Sequence, residues 1–268
     1  TRKQGEPFAV KTITVEVRDD HLESLARTKP MTALAELVWN ALDAEATEVR
    51  VAFEDNEMGG TDCIRVSDNG HGLSYDDAML SFRNLGGSWK RVNPRTADRN
   101  RVMHGKYGKG RFRAFSLGNV SSWRSAYLDG AGVRVFSLSG NAARIGEFAV
   151  TDPSPAPDPA TGMTVEIREV TDAAGLLRGV KAVEEFTNIF APYLRQYPDT
   201  RIFFDGVPVD PASVEERATV IDLGEMVSEN GDRMRAELLV VEWSKPGRRG
   251  VFLCDEDGFM RLNALPRL

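Results

Sequence analysis

The chain has 268 residues, a formal net charge of −6, a pI near 5.3 and the composition of an ordinary globular protein. That length supports a sizeable core, as one large domain or two smaller ones, and the acidic balance excludes a chain that coats nucleic acid by charge alone. No apolar run reaches membrane-spanning length, no signal peptide opens the sequence, and Cys63 and Cys254 each sit in an apolar run without metal-ligand spacing, so free buried thiols in a reducing, cytoplasmic compartment are expected.

Residues 1–9 read as disordered, and the start without Met reads as an excised fragment. Ile13, Val15 and Val17 alternate with Thr14 and Glu16, the pattern of a half-exposed strand. Residues 20–29 read as a short helix, with His21 on its surface. Met31 to Ala44 (MTALAELVWNALDA) is the organising stretch. Its apolar residues Ala33, Leu34, Leu37, Val38, Ala41 and Leu42 have the spacing of one helix face on a core, and Pro30 suits the first turn. Glu36, Asn40 and Asp43 interrupt the segment at spacings that line one edge of the helix. Burying them without partners costs a few kcal/mol each, so they are either solvated or face a polar ligand.

Glu48 to Phe53 alternates as a strand, EDNEMGG turns, and Cys63 to Val66 returns as a second strand ending in Asp68-Asn69-Gly70-His71-Gly72. Two glycines two apart imply a tight turn that lets a flat object approach the backbone, and His71 between them is expected to be exposed. Residues 75–85 read as a helix. From Arg83 to Arg113 the chain carries ten Lys or Arg against one acid, Asp98, and few apolar residues before Val102. It reads either as a solvated basic loop or as a mobile loop that closes over an anion. Within it Gly105, Gly108 and Gly110 form G-x-x-G-x-G before an apolar-periodic segment, a glycine-rich turn feeding a helix N-terminus that suits phosphate.

Residues 119–150 read as two or three antiparallel strands, and Asp152 to Thr161 (DPSPAPDPAT) as an extended exposed loop. Gly162 to Ile167 (GMTVEI) resumes as a strand; 173–197 is helical with a break expected near Pro192; Ile202 to Phe204 is a strand. Leu238–Trp243 and Val251–Leu253 are the clearest strands beyond 207, and Lys245 to Arg249 (KPGRR) reads as a hairpin turn.

Taken together, four of these elements resemble the GHKL ATPase superfamily of gyrase, ninety-kilodalton heat-shock chaperones, histidine kinases and MutL. Glu36 to Ala44 (ELVWNALDA) is similar to its E-x-x-x-N-A-x-D-A helix, Asp68 to Gly72 to its D-x-G-x-G turn, Gly105 to Gly110 to the end of its nucleotide lid, and Thr164 to its G-T-x-[VI] strand, with Met163 as an extra residue. The resemblance implies an α/β sandwich, the Bergerat-type ATP-binding fold, with a mixed, mostly antiparallel sheet and helices on one face. It implies an N-terminal extension over 1–29, an ATP-binding domain over 30–206 with a lid at about 84–110, and the start of a β-rich transducer-like domain over 207–268.

The same resemblance assigns roles. Glu36 is the general base or water-orienting carboxylate, and Asn40 a Mg²⁺ ligand through its carboxamide oxygen. Asp68 accepts from the adenine amine, with Gly70 and Gly72 beside the base and Asp43 and Thr164 supporting it. Asn84, Ser88, Lys90, Gly105, Lys106, Tyr107, Gly108, Lys109 and Gly110 belong to the lid around the phosphates. Histidine kinases fit poorly, since no phosphoacceptor helix precedes the domain. The segment Leu85 to Lys90 and the glycine-rich run look most like the MORC-type and MutL-type branches, where a second domain donates a basic residue; Lys245, Arg248 and Arg249 are the candidates. The expected function is an ATPase, slow in turnover, whose ATP-driven lid closure and homodimerisation gate a DNA-related process, with DNA or a protein as further partner. A chaperone acting on protein clients and a non-hydrolysing nucleotide switch are the alternatives.

Overall fold

The computed structural model describes residues 27–83, 96, 98–99, 101, 103–104, 110–130, 132–244, 251–254 and 260–265. The elements begin with helix α1 (Pro30–Asp43), strands β1 (Glu48–Asp55) and β2 (Thr61–Asp68), helix α2 (Tyr75–Arg83) and the short helix α3 (Gly110–Arg113). Strands β3 (Gly118–Asp129), β4 (Gly132–Asn141), β5 (Phe148–Val150), β6 (Ser154–Pro155) and β7 (Gly162–Val170) follow. Helices α4 (Asp172–Gly175) and α5 (Val180–Gln196) lead to β8 (Arg201–Phe204) and β9 (Val207–Pro208). Beyond these lie β10 (Glu215–Val227), β11 (Arg233–Trp243), β12 (Val251–Cys254) and β13 (Met260–Leu265).

Nine strands form one sheet in the order β5-β4-β3-β7-β2-β1-β8-β9, with β6 added to β4. Only β1 and β8 run parallel in it, so the sheet is mixed and mostly antiparallel, as expected. Alternation sorts its two faces. Val49, Val51 and Phe53 of β1, Ile64 and Val66 of β2, and Val165 and Ile167 of β7 turn into the core under α1 and α5. On the other face Arg65 of β2 bridges Glu54 of β1 and Glu166 of β7, a cross-strand ladder of charge. Trp39 of α1 packs on Phe190 of α5, and Phe186 meets Phe204 of β8, which clamps the two helices to the sheet.

Three expectations need correction. Pro192 does not break α5; the break falls at Gly179, whose φ of 91° sits between α4 and α5. Phe190, Ala191 and Leu194 are buried around Pro192, and that packing offsets the missing hydrogen bond. The loop over 152–161 is largely exposed, yet Ser154–Pro155 pairs with β4 at the sheet edge, where proline is tolerated. Arg27 to Lys29 are not helical; the rest of the helix expected there, and the strand at Ile13–Val17, lie outside the described residues. Val209, past residue 206, belongs to the same core, and Val214 is buried as well.

Cys63 is buried and free, with burial pushing its thiol above the usual range, while Cys254 falls outside the described side chains. β10 and β11 form a two-stranded ribbon apart from the large sheet, with Val220, Ile221, Leu238 and Leu239 exposed. Among the described residues no helix is long and apolar enough to cross a membrane.

Candidate functional site

Helix α1 starts with Pro30 in its first turn and buries Ala33, Leu34, Leu37, Val38, Ala41 and Leu42. Its three polar interruptions meet different fates. Glu36 is half-buried and accepts a hydrogen bond from the Arg113 guanidinium at the end of α3. Asn40, one turn on, is exposed. Asp43 is buried, and its Oδ1 accepts from the backbone N–H of His104 at 2.8 Å. The His104 ring stacks on Trp39 with centroids 3.8 Å apart. This carboxylate thus ties His104 to α1.

The helix ends in two crossed hydrogen bonds. Glu45 N–H donates to Leu42 O at 3.0 Å and Ala46 N–H to Ala41 O at 3.2 Å. This is a Schellman end, and Glu45 takes its left-handed position with φ 64°. Glycine is the usual residue there, so Glu45 is held by something else. Its Oε1 accepts from the N–H groups of Asp98 at 3.0 Å and Arg99 at 2.9 Å. Burial alone raises the Glu45 carboxyl; bonds from the Thr96 hydroxyl and the Arg99 and Asp98 N–H groups outweigh it and hold the group below the ordinary range.

The turn after β2 is welded to this helix end. His71 N–H donates to Ala44 O at 2.9 Å, and Asn69 Oδ1 accepts from Thr47 N–H and Glu48 N–H, both at 2.9 Å. A Cβ on Gly70 would lie 2.5 Å from Ala44 O, and one on Gly72 2.2 Å from Ala126 O of β3. The absence of a Cβ lets Gly70 contact α1 and Gly72, at φ 70°, contact β3. Asp68 Oδ1 accepts from Gly70 N–H at 2.8 Å and Met163 N–H at 3.3 Å. Burial nonetheless pushes its carboxyl up to about 6. Thr164 stands opposite Ser67, next to Asp68, in the β2–β7 ladder.

The basic segment is not purely solvated. Arg101 is 3% exposed; its guanidinium donates to Ala46 O at 2.8 Å and Thr200 Oγ1 at 3.1 Å. Met103 is fully buried and Thr96 nearly so. Arg111 is buried over the Phe112 ring, and burial pushes its guanidinium down to about 10. The second half of the segment thus contributes residues to the core. Gly110 opens α3. Asn84, Ser88, Lys90, Gly105, Lys106, Tyr107, Gly108 and Lys109 lie outside the described residues, as do Lys245, Arg248 and Arg249. Arg113, Glu45 and Arg101 were not singled out by sequence reasoning, because nothing in a basic run or after a helix marks which charge has a buried partner.

With α1, the Asp68 turn and β7 assembled in this order, residues 28–153 match the family model described as histidine kinase-, DNA gyrase B-, and HSP90-like ATPase. These residues are thus similar to the GHKL ATPase superfamily. Curated relatives that the chain matches are MutL proteins. The DNA mismatch repair protein MutL of Acidobacterium capsulatum is 52% identical over 54 residues, 20% of this chain and 8% of that protein. That of Opitutus terrae is 39% identical over 94 residues, 35% of this chain and 13% of its own length. That of Anaeromyxobacter sp. strain K is 37% identical over 146 residues, 53% of this chain and 21% of its own length. The matches thus span only a small part of each relative.

The donors gathered here are of the kinds that a purine amine and a hard metal ion take. Among the described residues Asp68 Oδ2 accepts no hydrogen bond, so one carboxylate oxygen remains for an exocyclic amine. The exposed carboxamide of Asn40, one turn from Glu36, supplies an oxygen of the kind a hard cation prefers.

Proposed function

We propose that this chain binds and hydrolyses ATP with Mg²⁺, as the ATPase module of a MutL-type protein acting in a DNA-related process such as mismatch repair. The supporting observation is the joint between α1 and the Asp68 turn. Through the Ala44–His71 bond and the Gly70 contact, the helix with Glu36 and Asn40 is fixed to the turn with Asp68. Glu36 orients the attacking water and takes its proton. Asn40 holds the metal through its carboxamide oxygen. The Mg²⁺ held there would supply positive charge against the charge that develops on the phosphates. Asp68 accepts from the adenine amine through Oδ2. The glycine-rich and basic residues from Asn84 to Gly110 close over the phosphates, and that closure pairs two copies of the chain.

Two variants separate these roles. Glu36→Ala keeps ATP binding while turnover falls by roughly 10²–10⁴, the usual contribution of a positioned base. Asn40→Ala loses the Mg²⁺-dependent part of the affinity. Wild-type turnover in Glu36→Ala overturns the assignment. Sedimentation with a non-hydrolysable ATP analogue tests the pairing, and a monomer under saturating analogue removes it.

A further inference from the structure

Three side chains from three separate segments converge beside the α1 end: Glu45, His71 of the Asp68 turn, and Asp98 of the basic segment. His71 Nε2 lies 3.3 Å from Asp98 Oδ2 and 3.7 Å from Glu45 Oε2. One ligand atom from each residue fits within 4.8 Å of the other two. Glu45 is 5% exposed, and its two oxygens are used very differently. Oε1 carries the Asp98 and Arg99 N–H groups. Oε2 is buried, has no hydrogen-bond partner among the described residues, and is aimed at His71.

A proton does not satisfy this arrangement. Imidazole carries one hydrogen on Nε2 and can direct it at a single oxygen. Asp98 is the nearer, and 3.7 Å to Glu45 lies beyond hydrogen-bond range. The buried Oε2 therefore stays unfilled whichever way His71 is protonated. A cation at the centre of the three contacts all of them at once. Two ligand atoms each about 2.0–2.1 Å from a tetrahedral zinc ion stand about 3.3–3.4 Å apart, and the His71–Asp98 separation matches that edge.

We propose that Glu45, His71 and Asp98 form a binding site for a divalent transition-metal ion of the zinc type. An imidazole with two carboxylates favours Zn²⁺, Co²⁺ or Ni²⁺ over Mg²⁺ and Ca²⁺. His71 and Asp98 are exposed, which gives the ion an entry path and leaves room for water as a further ligand. The bound ion ties the end of α1, the Asp68 turn and residue 98 together, three points distant in sequence, and so stabilises the fold by binding only the native state. The site shares no ligand with the Mg²⁺ role given to Asn40, so it stands or falls apart from the ATPase reading.

The test uses the full chain, stripped of metal by chelation and kept free of nucleotide. Zn²⁺ is titrated in competition with a chromophoric chelator, and Co²⁺ is followed by its visible absorption. The expected result is one Zn²⁺ per chain, a raised melting temperature, and a Co²⁺ spectrum of low coordination number. His71→Gln and Asp98→Asn each weaken Zn²⁺ at least about tenfold, the lower end of what losing even an outer-sphere partner costs a metal site. Circular dichroism confirms that both variants fold, and His21→Gln leaves the affinity unchanged. Glu45→Gln also disturbs the Oε1 anchor, so it is not the deciding variant. Absence of stoichiometric Zn²⁺ binding, or binding undiminished in both His71→Gln and Asp98→Asn, overturns the proposal.

Discussion

Arg113, the last residue of α3, reaches across to pair with Glu36 on α1. The glycine-rich segment thus ends on the carboxylate that the proposed mechanism uses, and the position of α3 bears directly on the orientation of Glu36. Arg113→Ala is expected to lower kcat by about tenfold, the effect of losing one charge-assisted hydrogen bond on the reacting group, while KM for ATP changes little. The two residues act as a unit, so Glu36→Ala with Arg113→Ala should be no slower than Glu36→Ala alone. Steady-state hydrolysis by the four proteins checks this. Additive losses in the double variant sink the coupling.

Asp68 gives the site a pH dependence with a definite sign. Burial pushes its carboxyl from 3.8 to about 6, so between those values the folded chain holds a proton that the unfolded chain releases. Ionising Asp68 therefore costs the empty protein stability as pH rises through 6, on the order of 2–3 kcal/mol. ATP needs the ionised form as acceptor, so affinity should fall as pH drops through about 6. Asp68→Asn removes the buried charge. It should raise the melting temperature above pH 6 and weaken ATP by about ten- to a hundredfold. Calorimetry and thermal unfolding across this range give both readouts. An affinity flat with pH in the wild type refutes the assignment.

Arg101 looks like one more charge in a basic run, yet it is a core residue. Replacing it with Met leaves the buried Ala46 carbonyl without its donor and removes the link to Thr200. The expected loss is about 1–3 kcal/mol, the cost of orphaning a buried acceptor. A shifted urea midpoint with unchanged slope is the signature. If the midpoint stays where it was, Arg101 is ornamental to the fold.

What could be read from residues alone follows the range of the interaction that carries it. The apolar face of α1, with Pro30 in its first turn, is a local pattern and was legible, as was the alternation of β1 and β2. The Asp68 turn was visible because its glycines are fixed by close backbone contacts with Ala44 and Ala126. Glu45 was invisible. A left-handed helix end calls for glycine, and only the distant N–H groups of Asp98 and Arg99 explain a carboxylate there. The bond of Asp43 to His104, 61 positions on, was invisible for the same reason. Pro192 misled in the opposite direction: a local rule predicts a break, and tertiary burial of Phe190 and Leu194 overrides it.

The joint between α1 and the Asp68 turn is the most direct thing to break. At Gly70 an added methyl would stand 2.5 Å from the Ala44 carbonyl oxygen and 3.1 Å from its carbon, both backbone atoms of a helix end that cannot swing aside. Gly70→Ala must therefore push the turn off the helix, at a cost of about 1–3 kcal/mol for a forced fit into a packed site. The shift also carries Asp68, whose Oδ1 is bonded to the Gly70 N–H, away from Asn40 and Glu36. ATP affinity should then fall further than in a variant of equal stability loss elsewhere, and Arg101→Met serves as that control. Isothermal titration of the two variants, matched by their urea midpoints, decides the matter. Equal ATP affinity in both would mean that the joint holds the fold together without aligning the two halves of the nucleotide site.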